Sequence, residues 1–525
     1  MSAAESLPTV IEVLRLRAAD MPDAPAFEAA GERLTWAGLL EDVRRAGSSL
    51  AARGVTAGSR CAIVLGTGLA FVRAFFGAQL VGAVPVAINP RLPAASIGRR
   101  LQELGCDAVI AEPGSRPGAD EAWVSARVRV IAPASLLDAS PLPWRLAQAP
   151  DPDAVSHLQL TSGTTGAPRA AVILHRNVMA ATVASKALVG ARPDDVLVGW
   201  LPLHHDFGLI RFVAAPPVFG CVCHLVESSI AAIPAWLQTI TRVRGTITGA
   251  PDVAFRLAAR LVPADRVDLR SLRVATSGGE PVRMSSITAF ETHFGIPGRV
   301  RPAYGLAEAT LGVAGVVEGE PLRVDASGTP SCGRPMRGVH LRIVDAEGHE
   351  VPPGARGEIA VKGPGVFAGY LNDPAGTAEV LRDGWLHTGD LGAVDADGHL
   401  YVHGRARAMI KRGGASIAPR EIEEVVDALA GVRRSAAVGV AGGEHDPTER
   451  VVVVAEVDRR LRSDAREALP SSIVEQVRQA VGFAPGDVLL VQPGTIPLTP
   501  SGKIRYEELR AWLRERERRQ AAIRA

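Results

Sequence analysis

The amino-acid sequence predicts an α/β fold, because short apolar runs alternate with longer amphipathic stretches near its beginning. The apolar runs have the length of strands and consist almost entirely of apolar residues, which is typical of parallel strands buried on both faces. The stretches between them repeat apolar residues at helical spacing. The predicted strands are residues 60–65, 83–90 and 108–111, and the predicted helices are residues 39–50, 70–81 and 95–104.

The segments around this alternation complete the prediction. An amphipathic helix begins near Val10, and a short hairpin follows over residues 26–36. Residues 112–153 are rich in Pro, Ala, Asp and Ser, so we expect them to be mostly loop. Strands are predicted again at residues 155–160 and 171–174.

Composition and charge narrow the function classes. The chain has 525 residues, which suggests about three to four domain-sized units. Its 58 Lys and Arg residues nearly balance 56 Asp and Glu residues, so no global charge indicates a nucleic-acid partner. The five cysteines form no CxxC pair and no disulfide pattern, which fits a reducing compartment and argues against structural zinc.

Targeting and membrane segments are not expected. The first residues lack a basic region followed by an apolar one, so we expect no secretory signal. No apolar run reaches the roughly 18 residues that a membrane span requires. We therefore expect a cytoplasmic protein without a membrane span.

The most informative stretch follows the predicted strand at 155–160 and is rich in hydroxyls and glycines. Backbone N–H groups in such a turn form a concave anion site, since glycine lets an oxyanion approach without a Cβ in the way. The stretch lacks the ending of a Walker loop. We interpret it as a phosphate-binding loop, and a plain polar turn is the alternative. Its candidate residues are Thr161, Ser162, Gly163, Thr164, Thr165, Gly166 and Arg169.

Residues 161–169, Thr-Ser-Gly-Thr-Thr-Gly-Ala-Pro-Arg, resemble the phosphate loop of the superfamily of acyl-CoA synthetases, peptide-synthetase adenylation domains and luciferases. Further motifs of that superfamily follow in order along nearly the whole chain. The resemblance implies ATP-dependent activation of a carboxylic acid as an acyl-adenylate. It also implies a large N-terminal domain of layered α/β sheets with a β-barrel-like subdomain, and a small mobile α+β C-terminal domain.

Residues 199–209 resemble the pocket motif of the superfamily. By that match His205 lies beside the reacting carboxylate, and Asp206 steadies the loop. Trp200 and His204 are then expected to line the acyl pocket. A hydrogen-bonded, partly buried histidine pair is the alternative, and no third metal ligand of suitable spacing is nearby.

Two glycines follow a predicted strand at residues 272–276. Glycines at the carboxyl end of a strand let a flat group lie on the backbone, at the edge where α/β sheets bind ligands. The resemblance implies an adenine loop here, with Gly279 also lining the acyl pocket. A plain strand-to-helix turn is the alternative. The expected nucleotide contacts are Gly278, Gly279, Glu280 and Pro281.

Residues 301–310 carry the most specific match. Tyr304 can stack on adenine, and Glu308 is a hard carboxylate suited to Mg²⁺. The resemblance implies that Glu308 and Thr161 hold this metal together. The residues of the segment that we expect at the nucleotide are Ala303, Tyr304, Gly305 and Leu306.

The pocket motif and residues 301–310 have the form found in the fatty-acyl-AMP ligase branch. That branch, by the resemblance, carries an inserted segment that hinders the use of CoA. Residues 311–329 are short, so we expect the insertion to be missing. This favours a CoA ligase over a carrier-protein loader. The branch suggests an apolar acid, either a fatty chain or a bulky ring system.

Residues 383–392 match the ribose motif. Asp390 only accepts hydrogen bonds when ionised, so it can bind both ribose hydroxyls. Arg405 also reaches ribose by family analogy. We expect an N-terminal domain over residues 1–405, with subdomains at roughly 1–170, 171–330 and 331–405, and a small domain over residues 406–525.

The predicted small domain carries a hinge motif and a terminal lysine motif. The resemblance implies two orientations of this domain. One delivers Lys503 for adenylation, and the other brings Gly413 and Gly414 to the adenylate beside a tunnel for pantetheine. An ordinary hairpin glycine pair is the alternative. No phosphopantetheine motif follows Lys503, so we expect no fused carrier domain.

The sequence thus predicts an AMP-forming acid–thiol ligase that uses ATP, Mg²⁺ and CoA, in fatty acid metabolism or secondary metabolite biosynthesis. The expected catalytic residues are Lys503, His205, Glu308 and Arg169. Arg169 replaces the usual lysine of the phosphate loop, and Ala408 replaces a usual Asp or Lys at the hinge. These departures leave open an enzyme weak in adenylation that mainly thioesterifies a supplied acyl-AMP. Loading of a separate carrier protein and a non-catalytic nucleotide-binding homologue are further alternatives.

Overall fold

The structure is a computed structural model that describes residues 8–114, 118–143, 150–161, 169–412, 415–440, 449–459, 461–498 and 504–524. The first two helices begin at threonines, Thr9 and Thr35, whose side chains accept hydrogen bonds from free backbone N–H groups. The helices are α1 (Val10–Asp20), α2 (Trp36–Ala52), α3 (Leu69–Leu80), α4 (Ala94–Glu103), α5 (Ala119–Ala126), α6 (His175–Leu188), α7 (Asp206–Leu209), α8 (Ala215–Phe219), α9 (Ile233–Val243), α10 (Asp252–Leu261), α11 (Met284–Phe294), α12 (Pro374–Val380), α13 (Pro419–Asp427), α14 (Ser463–Val481) and α15 (Tyr506–Arg524). A π-helix, Ile210–Ala214, joins α7 to α8.

The strands are short and mostly buried. They are β1 (Pro25–Ala29), β2 (Glu32–Thr35), β3 (Arg60–Val64), β4 (Val84–Ala87), β5 (Ala108–Ala111), β6 (Arg129–Ile131), β7 (Val155–Leu160), β8 (Ala170–Leu174), β9 (Val196–Gly199), β10 (Val222–Leu225), β11 (Ile247–Ala250), β12 (Val274–Ser277), β13 (Val300–Gly305), β14 (Gly312–Gly315), β15 (Arg334–Pro335), β16 (His340–Val344), β17 (Gly357–Lys362), β18 (Gly369–Tyr370), β19 (Leu381–Arg382), β20 (Trp385–Val394), β21 (Leu400–Arg405), β22 (Ile410–Arg412), β23 (Ala415–Ile417), β24 (Val432–Val440), β25 (Arg450–Val457) and β26 (Asp487–Val491).

Within the described residues, these strands form five sheets. The largest has the order β15-β14-β13-β12-β11-β9-β10-β1-β2, and its six strands from β13 to β1 run parallel. The second has the order β18-β8-β7-β4-β3-β5-β6 and is parallel from β7 to β6. A five-stranded antiparallel sheet contains β16, β17 and β19 to β21. The predicted fold class, layered α/β sheets followed by a smaller α+β unit, is confirmed.

Helices and strands share one large apolar core. It includes Trp36 and Phe76 from the helices, Ile63 from the second sheet and Leu197 from the largest sheet, all fully buried. Two separate apolar clusters within residues 410–513 form the cores between the three-stranded sheet of β24 to β26 and the helices that pack on it. No helix in the described part of the chain combines the length and apolar character that a bilayer crossing needs.

The expectation that residues 112–153 are mostly loop is only partly right, because it missed a helix and a strand. The segment contains α5 and β6, and a 3₁₀ turn covers Pro133–Leu137. β6 extends the second sheet by pairing with β5, and Trp123 of α5 is only 2% exposed. Tertiary packing therefore orders a stretch whose local composition favours loop.

An ionic cluster links the C-terminal elements to the large core. Asp427 of α13 accepts hydrogen bonds from Arg256 at 2.8 Å and from Arg283 at 2.7 Å. Glu423, one turn earlier, lies 3.5 Å from Arg283 and accepts a bond from the Tyr506 hydroxyl. These side chains are largely buried, so their mutual pairing offsets the desolvation of the charges.

The Glu423→Gln variant should have a flatter pH dependence of stability than the wild type. Burial raises the pKa of Glu423 from 4.5 to about 7, despite the attraction of Arg283. Between these two values the folded protein binds a proton that the unfolded chain has released. Stability should therefore fall as pH rises through this window, by at most about 3 kcal/mol.

The check is chemical unfolding of the full chain at about pH 5 and about pH 7.5. Glutamine keeps the Oε1 acceptor for Tyr506 and removes the titration. Glu475→Gln is the control, because the Glu475 side chain on α14 is 47% exposed, and it should leave the wild-type slope in place. Equal slopes for wild type and Glu423→Gln would contradict the assignment.

Candidate active site

The carboxyl edge of the largest sheet brings three predicted segments together. β9, β11, β12 and β13 are successive parallel neighbours, so their carboxyl ends lie at one edge. Residues 200–205 follow β9, Gly278 and Gly279 follow β12, and Glu308 lies just beyond β13. A Cβ on Gly278 would lie 2.9 Å from the Ala303 carbonyl oxygen, and Gly279 has φ +80°. Glycine is therefore required where these loops approach each other.

Tyr304, Asp390 and Arg405 form one hydrogen-bonded group. The Tyr304 hydroxyl donates to Asp390 Oδ2 at 2.6 Å. Asp390 and Arg405 are direct partners across β20 and β21, and Arg405 Nε lies 2.9 Å from Asp390 Oδ1. The charge of Asp390 raises the pKa of Arg405, and burial raises the pKa of Tyr304 well above its ordinary value. The group thus joins the largest sheet to the five-stranded sheet.

Glu308 is held from the second sheet. Its Oε1 accepts a hydrogen bond from the Tyr370 hydroxyl at 2.7 Å. Desolvation raises the pKa of Glu308, while the Tyr370 hydroxyl and the charge of Arg405 act in the opposite direction. Because the charge of Asp206 also raises this pKa, two carboxylates face the same region. Such a region favours a bound cation.

Arg169 lies beside this carboxylate but is already paired. Its guanidinium carbon is 5.0 Å from the Tyr370 ring centroid. Its Nε lies 3.2 Å from Asp373, and its Nη2 lies 3.6 Å from Glu379. Both acids belong to the segment of α12, so Arg169 ties the start of β8 to that helix.

The histidine pair sits on the loop between β9 and α7. His205 Nδ1 is 2.5 Å from Asp206 Oδ1, so Asp206 fixes the ring as predicted for a loop-steadying residue. The His204 carbonyl accepts a bond from Gln159 at 3.1 Å. Burial lowers the pKa of His204 to about 3, which leaves its ring neutral. Trp200 is 4% exposed and stacks on Trp236.

A cleft of about 690 Å³ opens beside His204. Asn89 and Arg91 after β4, and His224 and Ser228 at β10, also line it. The cleft therefore lies between the carboxyl edges of the two largest sheets, and its lining includes His204, the residue before the predicted catalytic His205.

Other predicted residues have structural partners in the described part of the chain. Glu280 accepts a bond from the Val253 N–H at the start of α10. A Cβ on Gly305 would lie 1.8 Å from the Leu311 carbonyl oxygen. Thr161 closes the base of its loop, because its N–H donates to the Arg169 carbonyl at 2.9 Å. The nucleotide roles proposed for these residues, and for Pro281, Ala303 and Leu306, stay predictions.

Several predicted site residues lie outside the described residues. They are Ser162, Gly163, Thr164, Thr165, Gly166, Gly413, Gly414 and Lys503. The two ends of the lysine loop are described, and Leu498 forms a β-bridge with Ile504.

Magnesium fits the donor set near Glu308. Mg²⁺ is usually held by one or two carboxylates together with phosphate oxygens and waters. The described residues contain no cluster of three or more His, Cys, Asp or Glu side chains suited to a metal ion. A single carboxylate beside a phosphate site is the arrangement that Mg²⁺ with a nucleotide uses, and an all-protein metal cage is not needed.

Tyr370 is the site residue that the sequence analysis did not assign. It contacts Glu308, which is 62 residues away along the chain. β18 places it there by pairing with β8, opposite Ala171. No local pattern around Tyr370 indicates this contact, since it depends on a two-residue strand that joins the second sheet.

The geometry agrees with comparisons to known proteins. Residues 14–371 match the family described as AMP-binding enzyme. The chain is 31% identical over 572 aligned residues to the putative fatty-acid–CoA ligase FadD21 of Mycobacterium tuberculosis, covering 95% of this chain and 96% of that protein. It is 32% identical to the sulfoacetate–CoA ligase of Cupriavidus necator, over 87% of this chain and 89% of the other.

A solved structure from work on the fatty acyl-adenylate ligases of E. coli and L. pneumophila is similar throughout. It covers 99% of this chain and 98% of its own, with a TM-score of 0.84 and 27% identity. The matched length, the motifs and their arrangement in space agree. The chain therefore belongs to the family of AMP-binding enzymes, within the adenylate-forming superfamily.

Proposed function

We propose that the protein is an acid–CoA ligase that first converts a carboxylic acid and ATP into an acyl-adenylate and pyrophosphate. In a second step the thiolate of CoA attacks the acyl carbonyl, and AMP leaves. The names of the relatives cover a fatty acid and sulfoacetate, so they support the reaction type and leave the acid open. The sequence-based expectation of an apolar acid stays a prediction.

The observation that carries this proposal is the meeting of three sheets at one group of polar side chains. Tyr304 and Glu308 come from the largest sheet, Tyr370 from the second, and Asp390 and Arg405 from the five-stranded sheet. Hydrogen bonds link them in pairs, so they are preorganised before any ligand binds. Preorganised charges and donors are what a reaction between two anions requires.

The nucleotide side of the site follows from these contacts. An ionised carboxylate only accepts hydrogen bonds, so Asp390, held by Tyr304 and Arg405, is suited to accept from the ribose hydroxyls. The exposed backbone at Gly279 offers a flat surface for adenine. Mg²⁺ at Glu308 would neutralise phosphate charge, which is the chemistry it supplies when bound.

The acid side uses the loop after β9. The reacting carboxylate would lie near His205, whose ring is fixed by Asp206. Lys503 would bridge the carboxylate and the α-phosphate in one orientation of the domain at residues 406–525. The cleft beside His204 offers room for an acyl chain or the thiol arm of CoA.

One observation supports a second candidate, an enzyme weak in adenylation that acts mainly on a supplied acyl-AMP. Arg169 stands at the position of the usual phosphate-loop lysine, yet its guanidinium is engaged by Asp373 and Glu379. An arginine held in this way loses part of its attraction for phosphate. A carrier protein in place of CoA is a further outcome that the experiment below separates.

The test is a panel of carboxylic acids in three assays on the purified full chain. ATP–pyrophosphate exchange reports adenylation, and mass spectrometry reports acyl-CoA and acyl transfer to a separate phosphopantetheinylated carrier. The proposal expects acid-dependent exchange and acyl-CoA. Thioester from supplied acyl-AMP without exchange would favour the weak adenylator, and acylated carrier without acyl-CoA would favour the loader. Nucleotide binding without any AMP would overturn all three.

The Asp390→Ala variant should raise the KM for ATP by about 10- to 100-fold, because it removes an acceptor of charge-assisted hydrogen bonds. The kcat at saturating ATP should change less. Tyr304→Phe is the control, since it removes only the 2.6 Å bond to Asp390 and leaves the carboxylate. An unchanged KM for ATP in Asp390→Ala would contradict the ribose role.

A further inference from the structure

Arg211 is a buried cation that the reaction described so far does not use. Its residue is 3% exposed. Its Nε and Nη1 are buried, and neither has a hydrogen-bond partner within the described residues. A buried guanidinium with unmet donors is costly, and native proteins keep such groups where something else satisfies them.

No neighbouring charge accounts for Arg211 either. Burial lowers its pKa to about 10, with no charged side chain of the described residues contributing to the shift. The guanidinium is therefore still protonated at neutral pH. A protonated side chain in this setting attracts an anion strongly, because the surroundings screen the charge poorly.

Arg211 lies in the part of the chain that is expected to bind the acid, not in the segments expected to bind the nucleotide. It lies in the π-helix Ile210–Ala214, which continues α7 and starts one turn beyond the His205–Asp206 pair. π-helical turns of this kind often occur at functional sites. Arg211 therefore belongs to the same continuous segment as the residues expected at the reacting carboxylate.

This segment packs on the carboxyl edge of the largest sheet. A Cβ on Gly249 of β11 would lie 2.8 Å from the Phe207 ring, and one on Gly199 of β9 would lie 2.6 Å from the Phe212 ring. Gly199 and Gly249 are paired neighbours in the sheet. The helical segment that carries Arg211 thus lies over the edge where the substrate is expected.

The adjacent strand end has unmet polar groups as well. The hydroxyl oxygens of Thr276 and Ser277, the last residues of β12, are buried without partners in the described part of the chain. Thr276 is the sheet neighbour of Gly249, against which Phe207 packs. Side chains alternate between the two faces of a strand, so Thr276 points to the face on which Phe207 packs and Ser277 points to the other. The Arg211 guanidinium and the Thr276 hydroxyl are therefore the donors on this face of the sheet that could serve an anionic oxygen.

We propose that Arg211 binds a second anionic group on the acid, at the end away from the carboxylate that is activated. The substrate class is then a short dicarboxylic acid or a carboxylic acid that ends in a sulfonate. This inference rests on the proposed ligase function and replaces the expectation of an apolar acid. It makes Arg211 a specificity-determining residue.

The distance between the two ends limits the length of the acid. His205 and Arg211 are six residues apart, which is roughly 9 Å along a helix axis. Side chains from both ends shorten the gap that the substrate must fill. An acid with about three to six carbons in total, including the carboxyl carbons, fits this spacing.

The experiment compares pairs of acids that differ only at the far end, in ATP–pyrophosphate exchange. Suitable pairs are succinate with butyrate, adipate with hexanoate, and 3-sulfopropionate with butyrate. The wild type should prefer the dianionic member by about 100-fold or more in kcat/KM. Arg211→Met should remove that preference, and Arg211→Lys should keep part of it. Comparing the rates for the dicarboxylates with the rate for 3-sulfopropionate shows whether the distal anionic group is a carboxylate or a sulfonate.

The control is Arg17→Met. Arg17 Nε donates to the Pro217 carbonyl at 2.9 Å, so this variant also removes a guanidinium bound within the helical layer. Its preference between paired acids should equal that of the wild type. If Arg211→Met does not fold, the proposal is tested by comparing the wild type with Arg211→Lys. The wild type should strongly prefer the dianionic acids, and Arg211→Lys should show a weaker preference.

The experiment distinguishes a failure of the Arg211 proposal from a failure of the proposed ligase function. If the wild type adenylates monocarboxylates as well as or better than their dianionic partners, the role of Arg211 is wrong and the ligase function stands. If no acid supports exchange or thioester formation, the proposed function itself is wrong.

Discussion

The Glu308→Gln variant should form acyl-adenylate at least about a thousandfold more slowly than the wild type. Glutamine has nearly the shape of glutamate and keeps an oxygen that can accept the bond from the Tyr370 hydroxyl. The change therefore removes the negative charge and leaves the local packing. Without this charge the site would lose the anchor proposed for Mg²⁺, and the charge on the phosphates would no longer be neutralised as the carboxylate approaches.

The direction of the pKa shift at Glu308 supports this expectation. Desolvation raises the pKa, so the ionised carboxylate is unfavourable unless a cation compensates it. A bound cation would stabilise the ionised form and explain why a partly desolvated acid is kept there. The measurement is the single-turnover rate of acyl-AMP formation at saturating ATP and several Mg²⁺ concentrations.

The Tyr370→Phe variant tests the positioning of the Glu308 carboxylate separately from its charge. It removes the 2.7 Å hydrogen bond and leaves the carboxylate, so adenylation should fall by only about tenfold. Raising the Mg²⁺ concentration should recover part of the rate in Tyr370→Phe and little of it in Glu308→Gln. If Glu308→Gln retains adenylation within about tenfold of the wild type, the carboxylate is not the metal anchor.

The Lys503→Ala variant is expected to lose adenylation by about 100- to 1000-fold and to retain most of its activity on supplied acyl-AMP. Two anions must meet in the first step, and a lysine ammonium between the carboxylate and the α-phosphate would reduce their repulsion. The second step has a neutral carbonyl and a leaving phosphate, so it depends less on that charge. The two assays are pyrophosphate exchange and thioester formation from synthetic acyl-AMP.

Lys362→Ala is the matched control for Lys503→Ala. Lys362 is exposed and lies 6.0 Å from the Trp385 ring centroid on the five-stranded sheet. Both reactions should proceed in it at the wild-type rate. Equal loss of both reactions in Lys503→Ala would contradict the separate role of the lysine in adenylation and the proposed reorientation of residues 406–525.

The parts of the fold that the sequence predicts well are those with strong local signals. Residues 61–65 and 108–111 are apolar throughout, and the structure has buried parallel strands at both places. The order of the motifs also predicts which loops meet, because the carboxyl ends of parallel strands share one edge. Gly278 and Gly279 are placed correctly after β12 on this basis.

Other features depend on contacts that no local pattern encodes. The contact of Tyr370 with Glu308 requires a strand pairing between distant segments, and the helix α5 is ordered by packing against α4, where Gly98 approaches Ala122. The engagement of Arg169 with Asp373 likewise appears only after folding. Arg211 is in the sequence one polar residue in an apolar helix, and what distinguishes it is that its buried Nε and Nη1 have no hydrogen-bond partner among the residues that the structure describes.

The central claim is that the acid is activated as an acyl-adenylate. The measurement that tests it most directly traces the carboxylate oxygens of the acid into the products. The substrate carboxylate is labelled with ¹⁸O, and the products of a complete reaction with ATP and CoA are analysed by mass spectrometry. If an acyl-adenylate forms, one labelled oxygen passes from the carboxylate to the α-phosphorus and remains in AMP. Label in orthophosphate together with ADP, or AMP without label, would contradict activation of the acid as an acyl-adenylate.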